Sequence, residues 1–293
     1  MNRGRRNLLL LTGIAGLAAL GWLSREQPEP TRPLTALSQD AIERIRVEHP
    51  GKPAIALARR DDGNWRLTEP VAADADAFEV ASLLNLAALP VRRALGEDFD
   101  AAELGLSPPA FVITLNDVAL RFGGTDPLSA QRVVQTDALA ALVDNPPSAA
   151  LDADFSDLVS KQLIPEGAAI KAIDLPDGRL VEAAADGGWR VTGAPELDPQ
   201  ALVEGWAGVR AMWNAAAPEA LDADGLERVT VHLASGDALP FVVLQRAPQF
   251  ELVNAELGVQ YTLSAVLAAT LLTVPEPASK GEPEAAPEAE PAD

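Results

Sequence analysis

One short stretch is written twice in this chain. Asp61-Asp62-Gly63-Asn64-Trp65-Arg66-Leu67-Thr68 is answered by Asp186-Gly187-Gly188-Trp189-Arg190-Val191-Thr192. In each copy an Asp-Gly turn signal stands directly before a Trp-Arg-aliphatic-Thr run, the pattern of a hairpin turn that delivers a tryptophan onto a strand. The text around each copy also matches. Most of the chain therefore reads as one folding unit repeated in tandem, and 293 residues leave room for two domains of about 100–200 residues each.

The first unit is expected over 40–165. Aliphatic residues at alternate positions (Ile45 and Val47, Ile55 and Leu57) mark two strands with one buried face, followed by a third at 65–68. Asp76 followed by Glu79 predicts a capping box, and Val80, Leu83, Leu84, Ala87 and Val91 continue it as an apolar helical stripe. Pro90 should stop or kink this helix, with Arg92 and Arg93 at its C-terminal end, where the dipole favours cations. Asp100 and Glu103 offer a second capping box. Strands at 111–115, 118–122 and 132–135, separated by Asn116-Asp117 and Gly123-Gly124, predict an antiparallel meander because no crossover helix intervenes. Residues 137–164 read as helical pieces broken by Pro146 and Pro147, a connector.

The second unit is expected over 166–274. Its strands at 170–175, 178–185 and around Trp189 parallel those of the first. Asp198-Pro199 marks a helix start, and Leu202, Trp206, Val209 and Trp213 fall on one helical face. Gly225-Leu226 answers Gly105-Leu106, and strands follow at 229–233, 241–244, 250–254 and 259–263, then a short apolar helix at 265–272.

Flanking segments set the expected address. After Arg3, Arg5 and Arg6 the run 7–24 (NLLLLTGIAGLAALGWLS) carries no charge. Its length at the rise of a helix is about 27 Å, within the range of a single transmembrane helix; a signal-peptide core is the alternative, and Ala19 and Gly21 fit cleavage. The preceding arginines place the N-terminus inside and send the body outward, into the periplasm of a bacterium. Residues 25–39 form a polar, proline-interrupted spacer. Residues 275–293 (PEPASKGEPEAAPEAEPAD) have the composition of a disordered acidic tail. A net charge of −20 argues against nucleic acid as a partner. The absence of cysteine removes disulfides, thiol nucleophiles and a lipoprotein anchor.

Candidate sites are few. Trp65 and Trp189 either line a ligand cleft or anchor the core of their own sheets; the core reading predicts a cost of about 3–5 kcal/mol on truncation to alanine. Acidic clusters recur at Asp74 and Asp76, at Asp98 and Asp100, at Asp152, Asp154 and Asp157, and at Asp222 and Asp224. None matches a calcium loop, and most stand where helix N-caps are expected. His232 precedes Ser235 and Asp237, but a nucleophile elbow is missing and Ser-Gly-Asp reads as a hairpin turn. His49 stands before a Pro-Gly turn. Arg59 and Arg60, like Arg92 and Arg93, read as solvated edges or caps. No catalytic, cofactor-binding or metal-ligating residue is assigned, and no cofactor.

Through GNWRLTEP, the Asp74/Asp76 segment and ELGLSPP ahead of FVITL, and more weakly through Trp189 and Gly225-Leu226, the sequence resembles the bacterial family DUF4340. The resemblance implies a membrane-tethered, extracytoplasmic protein of the inner membrane, found beside gliding-motility-type ABC transporter components. The expectation is an α+β protein of two tandem pseudo-repeated modules, each an antiparallel sheet with a packed helix, after one N-terminal transmembrane helix. Its expected role is that of a non-enzymatic periplasmic accessory or scaffold, with inner-membrane or periplasmic proteins, ABC transporter subunits among them, as partners. The alternative is a periplasmic module binding a small molecule or glycan in the cleft between the repeats.

Overall fold

The computed structural model describes residues 32–96, 98–146 and 154–274. The expected anchor at 1–24, the acidic tail at 275–293 and Asp152 lie outside the described residues, as does the spacer up to residue 31. Among the described residues no helix is long and apolar enough to cross a membrane.

The chain forms two antiparallel sheets with a few short helices, an α+β arrangement. In the first sheet β1 (Arg44–Glu48) and β2 (Ile55–Arg59) pair so that Ile45 opposes Leu57 and Val47 opposes Ile55. All four are buried, because side chains two apart in a strand share a face. The following turn is held by Asp62, whose carboxylate accepts from the Asn64 N–H at 2.9 Å, and by Gly63 at φ 87°, where a side chain would be strained. Then β3 (Trp65–Glu69) returns along β2, and β4 (Ala73–Asp74) lies along β3. Asp76 caps α1 (Ala77–Asn85), accepting from the Phe78 and Glu79 N–H groups. Glu79 turns to Lys161 rather than back to the cap, so half of the expected capping box forms.

The stripe predicted to continue α1 through Val91 does not. The helix ends at Asn85, Leu86–Ala88 makes a 3-10 turn, and β5 (Val91–Ala94) crosses to the far edge of the sheet. Arg92 is thus a strand residue, and its guanidinium meets Asp144 at 2.6 Å instead of a helix end. The meander forms as expected from β6 (Phe111–Leu115), β7 (Val118–Thr125) and β8 (Gln131–Gln135). A further strand, β9 (Ala140–Asp144), lies where helical pieces were expected. Ala140 to Val143 are all buried, and a short unbroken apolar run has no period that separates strand from helix. The order is β4-β3-β2-β1-β6-β7-β8-β9-β5.

The second sheet contains β10 (Ile170–Asp174), β11 (Leu180–Ala183) and β12 (Trp189–Val191), with α3 (Gln200–Gly208) after them; α2 (Phe155–Leu158) lies in the connector before it. There follow β13 (Trp213–Ala216), β14 (Arg228–Leu233), β15 (Ala238–Gln245), β16 (Gln249–Asn254), β17 (Val259–Ser264) and α4 (Leu267–Leu272). The order is β12-β11-β10-β14-β15-β16-β17-β13. Trp213, expected on the helical stripe, instead opens the edge strand β13 and is 45% exposed.

Buried residues of both sheets belong to one continuous apolar core, to which Leu158, Val159, Leu163 and Ile164 of the connector contribute. Part of the stretch expected as spacer is docked on it. Leu34 is buried, and its N–H donates to the Leu89 carbonyl at 2.7 Å. On the opposite face of the first sheet Leu106, Val133 and Leu142 form a small cluster covered by Leu95, Phe99 and Leu104. There the backbone of β7 passes so close that a Cβ on Gly123 would lie 2.4 Å from the Leu104 carbonyl oxygen. Gly123→Ala is therefore expected to destabilise by about 1–3 kcal/mol through overpacking. A urea denaturation curve checks it, and an unchanged midpoint would show that the loop over this face yields freely.

Candidate functional site

The connector between the sheets organises the site. Asp154 caps α2, accepting from the Ser156 N–H at 2.7 Å, while Asp157 accepts from the Asp154 N–H at 3.0 Å, so the capping box is complete here. Beyond α2 the chain runs extended and is hydrogen-bonded on both sides. On the first-sheet side, Asp76 N–H donates to Leu158 O and Ser160 N–H to Asp74 O, each at 2.8 Å. On the second-sheet side, Ala211 N–H donates to Lys161 O at 2.7 Å and Leu163 N–H to Val209 O at 3.3 Å. The buried Asn214 amide adds a bond to Val159 O at 2.9 Å. Since backbone groups withdrawn from water must find partners, this double ladder fixes the connector as a splint along the seam.

Charges collect beside it. One oxygen of Asp76 caps α1; the other faces the Arg210 guanidinium at 3.3 Å and the Lys161 ammonium at 3.9 Å. Asp76 is 2% exposed, so its carboxylate is withdrawn from water and depends on these partners for its polar contacts. Glu79, also buried, reaches Lys161 at 3.9 Å with one oxygen, and its other oxygen has no hydrogen-bond partner. Burial pushes the Glu79 carboxyl above its ordinary value; Asp76 and Asp157 push the same way and Lys161 opposes them. Burial raises Asp157 as well.

A carboxyl raised in the folded state binds its proton more tightly there than in the unfolded chain. Its contribution to stability is complete below the unfolded value of 4.5 and is lost as pH rises through the folded one. Glu79→Gln should remove that loss. Relative to the parent, the variant is expected to gain stability as pH rises from 4.5 through the folded value and to keep that gain above it, measured by urea unfolding across the range. A constant difference at all pH values would show that Glu79 titrates normally.

At the mouth of this charged seam lies a cleft of about 280 Å³. Trp65 and Asn64 line it from the hairpin, Val80 and Leu84 from α1, Gln162 from the connector and Arg210 from the second-sheet side. Arg60 stands at its rim, paired with Asp62 and Asp74, each at 3.0 Å. A larger groove of about 660 Å³, mainly apolar, runs along the first sheet beside Leu34, Leu37, Val118 and Leu139. Convergent charged groups are found at the seam.

The expected candidates are distributed as follows. Trp65 is half-buried, packs on the core with part of its surface, and lines the cleft; Trp189 is half-buried and packs on the core. Asp74 and Asp76 join the seam, while Asp100, Asp154 and Asp222 accept backbone N–H groups at turns or helix starts. Among the described residues no three histidine, aspartate or glutamate side chains converge as ligands for a metal. His232 pairs with Asp174 at 2.8 Å and Ser235 with Asp237 at 2.8 Å, so the histidine and the serine do not meet as nucleophile and base. Lys161 and Arg210 were not expected, and Glu79, expected to close the capping box, joins the seam instead. A lone lysine between the apolar pairs Leu158-Val159 and Leu163-Ile164 was the available signal.

The arrangement offers hydrogen-bond donors and acceptors around an aromatic surface. The family model described as "Domain of unknown function (DUF4340)" matches residues 65–235, more than half of the chain. Neither the curated proteins nor the solved structures contain a match.

Proposed function

The chain belongs to the DUF4340 family, and from that premise we propose a non-enzymatic accessory protein of the bacterial cell envelope that works by binding a ligand in the seam cleft. The observation that supports this reading is the convergence of Trp65, Arg60, Gln162 and Arg210, drawn from the hairpin, the connector and the approach to β13, on one cavity. The run 7–24 tethers the body to the inner membrane, and the body faces the periplasm. A C-terminal alkaline phosphatase fusion should then be active and the protein should fractionate with membranes. An inactive phosphatase beside a fluorescent cytoplasmic fusion would reverse the orientation.

The two sheets are two copies of one folding unit in this reading. Both strand orders place three consecutive hairpin strands at one end, a four-stranded meander next to them, and the strand that follows the helix at the far edge. Only β4 lacks a counterpart among the described residues. Superposition of residues 40–135 on 170–265 in a crystal structure tests it.

The splinted seam also favours a second reading, a rigid scaffold for envelope partners such as the subunits of an ABC-type transporter. Purification from mild detergent should then recover integral membrane proteins; repeated recovery of the chain alone would count against it.

A further inference from the structure

We propose that the seam cleft takes a neutral glycan, seating one sugar ring against Trp65; this rests on the binding reading given above. The inference comes from how the charges of the wall are already spent. Arg60 is paired with Asp62 and Asp74, and Arg210 with Asp76. Glu166 adds a further carboxylate to the lining. An anionic ligand would have to displace these carboxylates from their guanidinium partners while facing an excess of negative charge. A cationic ligand would meet two guanidinium groups at the positions where it would approach Asp74 and Asp76. The wall as a whole repels an anion, and a cation reaches Asp74 and Asp76 only by displacing the guanidinium groups already paired with them.

A hydroxyl group is both a donor and an acceptor. Adjacent hydroxyls on a sugar can therefore accept from a guanidinium and donate to the carboxylate beside it without breaking the ion pair. The amides of Asn64 and Gln162 carry the same dual character. Trp65, half-buried, and the apolar side chains of Val80 and Leu84 supply surface for the C–H face of the ring. A volume of about 280 Å³ lies just below the usual span of ligand pockets, about 300–1,000 Å³. It suits one ring with the remainder of the glycan outside. Since the connector and Arg210 contribute as well as the first sheet, an occupied cleft would tie the two sheets together.

The full-length protein in detergent, titrated with chitotriose, maltotriose and cellotriose and followed by calorimetry and tryptophan fluorescence, tests this. Spermidine and citrate serve as charged comparators. Saturable binding of at least one of the three sugars is expected, little changed by salt, and at least about tenfold weaker in Trp65→Ala. Trp189→Ala should leave it unchanged. Should Trp65→Ala fold poorly, Gln162→Ala gives the same reading, with the melting curve of each variant as control. Salt-sensitive binding of spermidine or citrate in the cleft, with no sugar bound, would overturn the glycan assignment and keep the cleft as a binding site. Sugar binding that survives Trp65→Ala and Gln162→Ala in folded protein would place the glycan elsewhere and overturn the proposal. Failure of every probe to bind would overturn the glycan assignment and leave the scaffold as the better reading.

Discussion

Trp206→Ala is expected to be the most damaging single tryptophan replacement, costing about 3–5 kcal/mol. Trp206 is fully buried on α3, its ring 5.3 Å from that of Phe241, which in turn meets Tyr261 edge-on at 6.2 Å. Its indole N–H donates to the Leu271 carbonyl at 2.8 Å, so one side chain ties α3 to both the second sheet and α4. Truncation leaves a cavity and also strands a carbonyl oxygen that has lost its donor. A small domain holds only about 5–15 kcal/mol in total, so the second sheet should melt well below the parent temperature. Trp206→Phe should recover the packing but not the hydrogen bond, and fall between. Urea unfolding followed by circular dichroism checks the order parent, Phe, Ala. Trp65→Ala and Trp189→Ala, each removing a half-buried ring, should cost clearly less than Trp206→Ala. Equal costs for all three would mean that the doubled hairpin tryptophans carry the core after all.

Trp65 and Trp189 pack against the core as expected of anchors but are only half-buried, which lowers the cost expected of each, and the reason is physical. The repeated Trp-Arg motif marks the hairpins correctly because turn chemistry is local: Asp62 and Gly63, like Asp186 and Gly187, need no distant partner to act. How deep a side chain is buried depends on what packs over it, and nothing in the motif reports that. The same limit explains the helix ends. The apolar spacing that begins α1 and α3 runs on through Val91 and Trp213, the first residues of the return strands β5 and β13. What makes these residues strands is pairing with β9 and β17, far away in sequence. Strands bounded by Gly and Asn-Asp turns were legible throughout the meander; β9, apolar on both faces, was not. In the cleft, Trp65, Asp74 and Asp76 stood out in the sequence as residue types. Their convergence with Lys161 and Arg210 arises from the connector lying between two sheets, which no local pattern encodes.

Asp76→Ala should be the second severe change, and it tests whether the seam is held electrostatically. The substitution removes the acceptor for the Phe78 and Glu79 N–H groups, a loss of about 0.5–2 kcal/mol at a helix N-cap. It also takes from Lys161 and Arg210 the carboxylate they share. Breaking a buried pair from one side costs about 3–5 kcal/mol, because the remaining charge stays desolvated. Arg210 is half-exposed and can turn to water, whereas Lys161 is more enclosed and has Glu79 left as partner, so the sum should settle at the lower end of that range. Asp76→Asn separates the two contributions. Asparagine caps a helix about as well as aspartate, so this variant should keep α1 and lose only the ionic part. A double-mutant cycle between Asp76→Asn and Arg210→Gln then measures the link between the first sheet's helix and the second sheet's edge. Coupling of about 0.5 kcal/mol or more is expected. Additive effects would show that the backbone ladder of the connector alone holds the seam, and that Arg210 faces the cleft for its ligand rather than for Asp76.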